Sequence, residues 1–122
     1  MPIIHRIEPS YRMVYTRGYG VVTDEDILGH NRDLKADPDF DPTFNQLLDF
    51  TEAVEIKIQT ETIQRIARRR IFDLSSQRAI VVDTALKFGL SRMFQNLRLP
   101  EDENIRVFFD IVEARKWLGI AE

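Results

Sequence analysis

Between Arg78 and Asp83 the chain reads Ala79-Ile80-Val81-Val82, an unbroken apolar run with a charge at either end. The run lacks the period of two of a half-buried strand and is too short for a helix. It suits a central strand covered on both faces, as in parallel sheets that carry helices. The rest of the chain must then supply further strands and the helices that cover them.

The flanking sequence does so by switching repeatedly between two periodicities. Ile3 and Ile4 open a short strand that stops at Glu8-Pro9-Ser10, a turn signal. Residues 11–22 alternate, with Tyr11, Met13 and Tyr15 on one side and Arg12, Val14 and Thr16 on the other. This predicts a second strand joined to the first as a hairpin, with a bulge or bend at Gly18 and Gly20. Thr23 and Asp26 then form a capping-box pattern, Val22 can staple onto Ile27, and Ile27, Leu28, Asn31 and Leu34 recur at helical spacing. Asp37-Pro38 ends that helix, because the residue before a proline avoids the helical region.

Residues 44–50 predict a third strand. Residues 51–59 fit either its continuation or an extended loop. Thr60 is placed to cap a second helix reaching about Phe72, with Ile63, Ile66, Ala67 and Ile71 as its apolar stripe. Thr84 caps a third, on which Phe88, Met93 and Leu97 have usable spacings. Leu99, Pro100 and the acidic Glu101, Asp102 and Glu103 form the next loop. A last strand runs from Ile105, and a last helix starts at Asp110 with Glu113 completing the cap pattern. That helix carries Ala114, Trp117 and Leu118 and stops at Gly119. The predicted order is β-β-α-β-α-β-α-β-α, an α/β fold with a mixed, mostly parallel five-stranded sheet and one antiparallel edge.

At 122 residues the chain fits one domain, 1–122, long enough to bury a core without staples. It has no cysteine, hence no disulfide, thiolate nucleophile or thiolate metal site, which fits a reducing compartment. The N-terminal residues are not followed by an apolar stretch of signal-peptide length, and no apolar run can span a bilayer. The expected location is cytoplasmic. A net charge of −3 favours neither nucleic acid nor an anionic membrane.

Catalytic equipment is sparse. The two histidines, His5 and His30, fall on separate elements, and no His-x-x-x-His face exists. The nearest glycine cluster, Arg17-Gly18-Tyr19-Gly20, lacks the third glycine of a dinucleotide fingerprint. Asp24, Glu25 and Asp26 sit where negative charge offsets a helix dipole. Asp37, Asp39 and Asp41 are interrupted by Pro38 and lack the closing glutamate of a calcium loop. Neither a catalytic residue, a cofactor site nor a metal site is expected. The basic run is the remaining feature: Arg65, Arg68 and Arg69 lie at i, i+3 and i+4 on the exposed side of the second helix, with Arg70 adjacent. They suit phosphates, an acidic partner or a solvated face on which Glu61 pairs with Arg65.

Taken together, several stretches resemble the SpoIIAA-like superfamily, which includes STAS domains and SEC14-like lipid-binding proteins. They are residues 20–28 (Gly-Val-Val-Thr-Asp-Glu-Asp-Ile-Leu) with 37–42 (Asp-Pro-Asp-Phe-Asp-Pro), 48–52 (Leu-Asp-Phe-Thr-Glu), and 78–82 leading to 88–93 (Phe-Gly-Leu-Ser-Arg-Met). The closing Val107, Phe108, Phe109 and Asp110, with Glu113, Ala114, Trp117 and Leu118, is similar to an uncharacterised bacterial subgroup of that superfamily. The resemblance implies a succession of strand-helix turns. STAS regulators carry a phosphorylatable serine just after the central strand, where a helix begins. The matching region here is 57–62, without the Asp-Ser-Ser-Gly type sequence, and its hydroxyls are Thr60 and Thr62.

The reading that follows is a non-enzymatic regulatory module of STAS-like type, a homodimer acting on a protein partner. Thr60, Thr62, Arg65 and Arg69 are its candidate switch or contact residues. The alternative is a SEC14-like carrier of a lipid or other small apolar ligand, held between sheet and helices.

Overall fold

A computed structural model describes residues 2–98 and 104–120. The strands are β1 (Ile3–Glu8), β2 (Met13–Thr23), β3 (Asn45–Lys57), β4 (Arg78–Val81) and β5 (Ile105–Phe108). The helices are α1 (Asp24–Ala36), α2 (Thr60–Arg68), α3 (Ala85–Arg98) and α4 (Ile111–Leu118). The strands lie side by side in chain order, with β1 antiparallel to β2 and every other pair parallel. The expected loop at residues 99–103 lies outside the described residues.

Side-chain alternation sorts the core into two layers. Val14, Ile80, Val82 and Ile105 point to the face covered by α1, α2 and α3. Met13, Leu47, Ala79 and Val81 point to the other, where Ala114 and Leu118 of α4 meet them. The apolar run 79–82 is buried throughout, as a strand with helices on both faces requires.

Local signals held where the interactions are local. Thr23 caps α1 by accepting from Asp26 N–H, and the Asp26 carboxylate accepts from Thr23 N–H at 2.9 Å. Thr84 Oγ1 accepts from Lys87 N–H at the start of α3, and Asp110 Oδ1 accepts from Val112 N–H at the start of α4. Gly119 closes α4 in the left-handed region at φ 75°, where a side chain is disfavoured. The β1–β2 link is a 3-10 turn at Pro9–Tyr11 followed by Arg12 at φ 55°.

Of three boundaries, the first settles an alternative the sequence left open and the other two differ from the expectation. β3 absorbs the ambiguous segment and continues to Lys57, but pairs with β4 only through Gln46–Asp49. Beyond that point β2 and β3 form a two-stranded ribbon with register shifts at Arg17/Tyr19 and Gly20/Val21, the irregularities anticipated at Gly18 and Gly20. Val54 falls in the second shift, where Ala53 and Glu55 pair with consecutive residues of β2, and is 82% exposed. At Gly18 a side chain is ruled out by the Phe50 ring, whose Cδ1 would lie 2.6 Å from an added Cβ.

The second boundary is at the start of α2. Gln59, not Thr60, is its N-cap: the Gln59 carbonyl accepts from Thr62 and Ile63 N–H, and no side chain caps the helix. The third is its end, which comes at Arg68 rather than near Phe72. Ile71 and Phe72 leave the helical path to join Val14, Leu34 and Phe44, with Phe72 edge-on to Phe40 at 5.2 Å.

Candidate functional site

The layer under α1, α2 and α3 is not filled. It leaves a partly open cavity of about 150 Å³ whose floor is the sheet and whose walls are Ile27 of α1, Ile63 and Ile66 of α2, and Leu90 and Phe94 of α3. Phe50 and Ile56 of the ribbon, and Ile58 just after it, also line the cavity.

A polar strip crosses the apolar floor. Thr16, Gln46 and Arg78 stand on three adjacent strands, and Gln46 Nε2 donates to Thr16 Oγ1 at 2.9 Å. Arg78 lies 5.5 Å over the Phe72 ring, and its Nε donates to Ser76 O at 3.4 Å. All three are buried, and no buried side-chain polar atom among the described residues lacks a partner. Such satisfaction is what makes polar groups tolerable inside a core.

The inward stripe of α3 is polar as well. Lys87, Ser91 and Arg98 are its buried residues, interleaved with Leu90 and Phe94, while Leu97 of the expected apolar set is exposed. Lys87, 7% exposed, donates to Phe50 O (3.1 Å), Ala53 O (2.6 Å) and Asp83 Oδ1 (2.7 Å), as many acceptors as its ammonium has N–H groups. It thereby ties the bulged part of β3, which has lost β4 as a neighbour, to the start of α3. Arg98 Nη1 donates to Ala67 O at 3.0 Å and ties the end of α3 to the end of α2.

The two histidines, far apart in sequence, meet here. His5 lies on the β1 face shared with Ile3 and Ile7, and His30 lies on the buried face of α1 with Leu34. His5 Nδ1 and His30 Nε2 are 3.2 Å apart, and His5 Nε2 is 2.9 Å from Asp37 Oδ2. A chain of three side chains thus runs from the C-terminal end of α1 to the cavity wall, which His30 lines. Burial holds His30 down to a pKa of about 4, helped by repulsion from His5 when that ring is protonated and opposed by Asp33. Asp37 is held below the usual carboxylate range by the hydrogen bond from His5 and by Asp39 N–H. Among the described residues no three His, Asp or Glu side chains converge as a metal site requires.

The residues singled out from sequence are dispersed. Thr60 is exposed at the first position of α2, and Thr62 is buried at 9% exposure, so the two hydroxyls do not share a surface. Arg65 is exposed on α2, whereas Arg69 follows its end and is both exposed and part of the cavity lining, at the rim. None of Arg65, Arg68 and Arg69 forms an ion pair among the described residues, the expected Glu61–Arg65 pair included.

Sequence reasoning missed the histidine chain and the polar stripe of α3. A signal existed for the first: His5 alternates with Ile3 and Ile7, and His30 falls between Ile27 and Leu34 at helical spacing, so both histidines sat on apolar faces. For α3 the spacing 87, 91, 94 and 98 is helical, but polar side chains on a stripe read as its outer face.

Comparison with solved structures places this architecture. Over 95% of this chain and 93% of the other, it superposes on an uncharacterised protein of the DUF3478 family from Shewanella loihica, with a SpoIIAA-like fold, at a TM-score of 0.61 and 21% sequence identity. The fold is SpoIIAA-like. The α/β order and the five-stranded mixed sheet with its single antiparallel pair are those expected from the sequence. No protein-family profile matches the chain, and no curated protein matches it in sequence. On the SpoIIAA-like frame the start of α2 is where the resemblance put the switch hydroxyls, and Thr60 is the exposed one of the two. No helix among the described residues is long and apolar enough to cross a membrane.

Proposed function

We propose that this SpoIIAA-like chain is a non-enzymatic binding module for a small apolar molecule, held between the sheet and helices α1, α2 and α3. The observation that carries the reading is the cavity of about 150 Å³ walled by isoleucine, leucine and phenylalanine. Apolar voids of roughly that size accept a benzene-sized guest. A few polar groups among apolar walls are the usual composition of a small-molecule site, the apolar area supplying affinity and the polar atoms orientation.

Native mass spectrometry of gently purified protein tests this directly. A discrete non-covalent adduct is expected, and it is lost in Ser91→Phe, which fills the cavity from α3. A protein that carries no adduct and binds no added apolar probe at millimolar concentration would sink the reading. The same spectra report whether the expected homodimer forms.

A second reading has its own observation. Arg65, Arg68 and Arg69 present unpaired, exposed guanidiniums around the end of α2, a surface suited to an acidic protein partner, on the helix that Thr60 begins. Charge reversal at Arg65 and Arg68 is expected to abolish capture of such a partner without changing the adduct. Unchanged capture removes the surface from consideration.

A further inference from the structure

The histidine chain constrains what kind of molecule the cavity holds. Asp37 as a carboxylate can only accept, so His5 Nε2 carries the proton that it shares with Asp37. When His5 is neutral its ring has one N–H, which leaves Nδ1 as an acceptor. His30 Nε2, 3.2 Å away, is then the donor, and His30 Nδ1 is left with a bare lone pair. The tautomer of the inner ring is thus set by the carboxylate two side chains away.

That lone pair has no protein partner. The hydrogen bond to His5 is the one His30 makes through its ring, and no buried side-chain polar atom among the described residues is unsatisfied. Nδ1 is therefore reachable, and its residue, 6% exposed, lines the cavity. An acceptor in an apolar chamber calls for a donor on the guest. We propose that the molecule bound in the cavity carries a hydroxyl group, and that His30 Nδ1 accepts its hydrogen bond.

This inference rests on the cavity-binding reading and adds the ligand's class to it: an apolar alcohol rather than a hydrocarbon or a fatty acid. A carboxylate would meet a like-signed lone pair at His30. Of the lining cations, Lys87 is engaged with two carbonyls and Asp83, Arg78 with Ser76 O and Arg98 with Ala67 O, which leaves Arg69, at the exposed rim. The depressed pKa of His30 is consistent, since it keeps the ring neutral and accepting at physiological pH.

The test uses the whole chain and three probes of matched size: hexan-1-ol, its isomer 1-methoxypentane, which lacks the donor, and hexanoate. Hexan-1-ol is expected to bind about tenfold more tightly than the ether, the ratio of one hydrogen bond to a buried acceptor. In His30→Leu the ether should still bind and the preference should vanish. Nitrogen-15 spectra at pH 8 should show the proton of His30 on Nε2 and Nδ1 bare, a readout that needs neither variant nor ligand. Equal binding of alcohol and ether, tighter binding of hexanoate, or a proton on His30 Nδ1 overturns the inference and leaves the cavity-binding reading standing. Binding of none of the probes, with no adduct on the purified protein, overturns both.

Discussion

The two faces of one sheet are packed in different ways. Under α4, Met13, Leu47, Ala79 and Val81 meet Ala114 and Leu118, all of them apolar. Ala114 is fully buried in this cluster, and an open hollow with Tyr15, Asp49 and Arg115 on its lining flanks it. Under α1, α2 and α3 the same alternation delivers Thr16, Gln46 and Arg78 from below and His30, Lys87, Ser91 and Arg98 from above, and a cavity remains. Burying such groups costs stability unless they find partners, and no fully buried side-chain polar atom among the described residues lacks one. The all-apolar cluster under α4 is what a scaffold needs. A layer of satisfied polar groups around a void is what a binding site needs, and local departures from efficient packing concentrate at such sites.

Perturbation should expose that contrast, most strongly at Lys87. Lys87→Met leaves the Phe50 and Ala53 carbonyls without their donor and is expected to cost about 4 kcal/mol, at roughly 1–3 kcal/mol per orphaned buried group. Chemical denaturation of the two proteins measures it, and a loss under 1 kcal/mol would show that water replaces the ammonium without penalty.

Acid should act on one face only. His30 has its folded value depressed to about 4, so between about pH 6.5 and 4 the unfolded chain binds the extra proton. Its contribution is flat above that window and falls as pH drops through it, by about 3 kcal/mol in all at 1.4 kcal/mol per unit. The neighbours that set this balance are His5, Asp33 and, through His5, Asp37; the lowered Asp37 adds a loss of the same sign at lower pH. The apolar cluster under α4 contains no titratable side chain. Amide hydrogen exchange at pH 4.5, corrected for intrinsic rates, should show protection falling in α1 before α4. Equal loss in both would refute the contrast.

The smallest effects come from adding the same bulk to either side. Ala114→Leu overfills the α4 layer and is expected to destabilise by about 2 kcal/mol. Ser91→Leu grows into the cavity and should change stability by about 0.5 kcal/mol or less. Thermal unfolding of the pair decides whether the void is real space, and matching losses would argue that it is not.

How much of this was legible depends on the range of the interactions. The capping box of Thr23 and Asp26, the stop at Asp37, the left-handed Gly119 and the covered strand 79–82 each involve neighbours in sequence, and all could be read there. The end of α2 could not, because Ile71 and Phe72 continue a helical pattern yet are drawn off by Phe40 and Phe44. Nor could the cap at Gln59, since Thr60 is the better capping residue by type, but Gln59 N–H is held by Asp24 across the fold. For the site the position is similar: each histidine lay on an apolar face, and only the packing of α1 on β1 brought the rings together.

By itself the sequence determined the order of elements, their alternation between strand and helix, and which strand is covered on both faces. These follow from local backbone preference and hydrophobic period. Tertiary structure alone decided that Lys87, Ser91 and Arg98 turn inward, that Asp37, His5 and His30 form one chain, and that a void remains between them. The physical reason is that a polar side chain is stable inside only when a partner awaits it, and those partners, the Phe50, Ala53 and Ala67 carbonyls and the Asp37 carboxylate, come from elements distant in sequence.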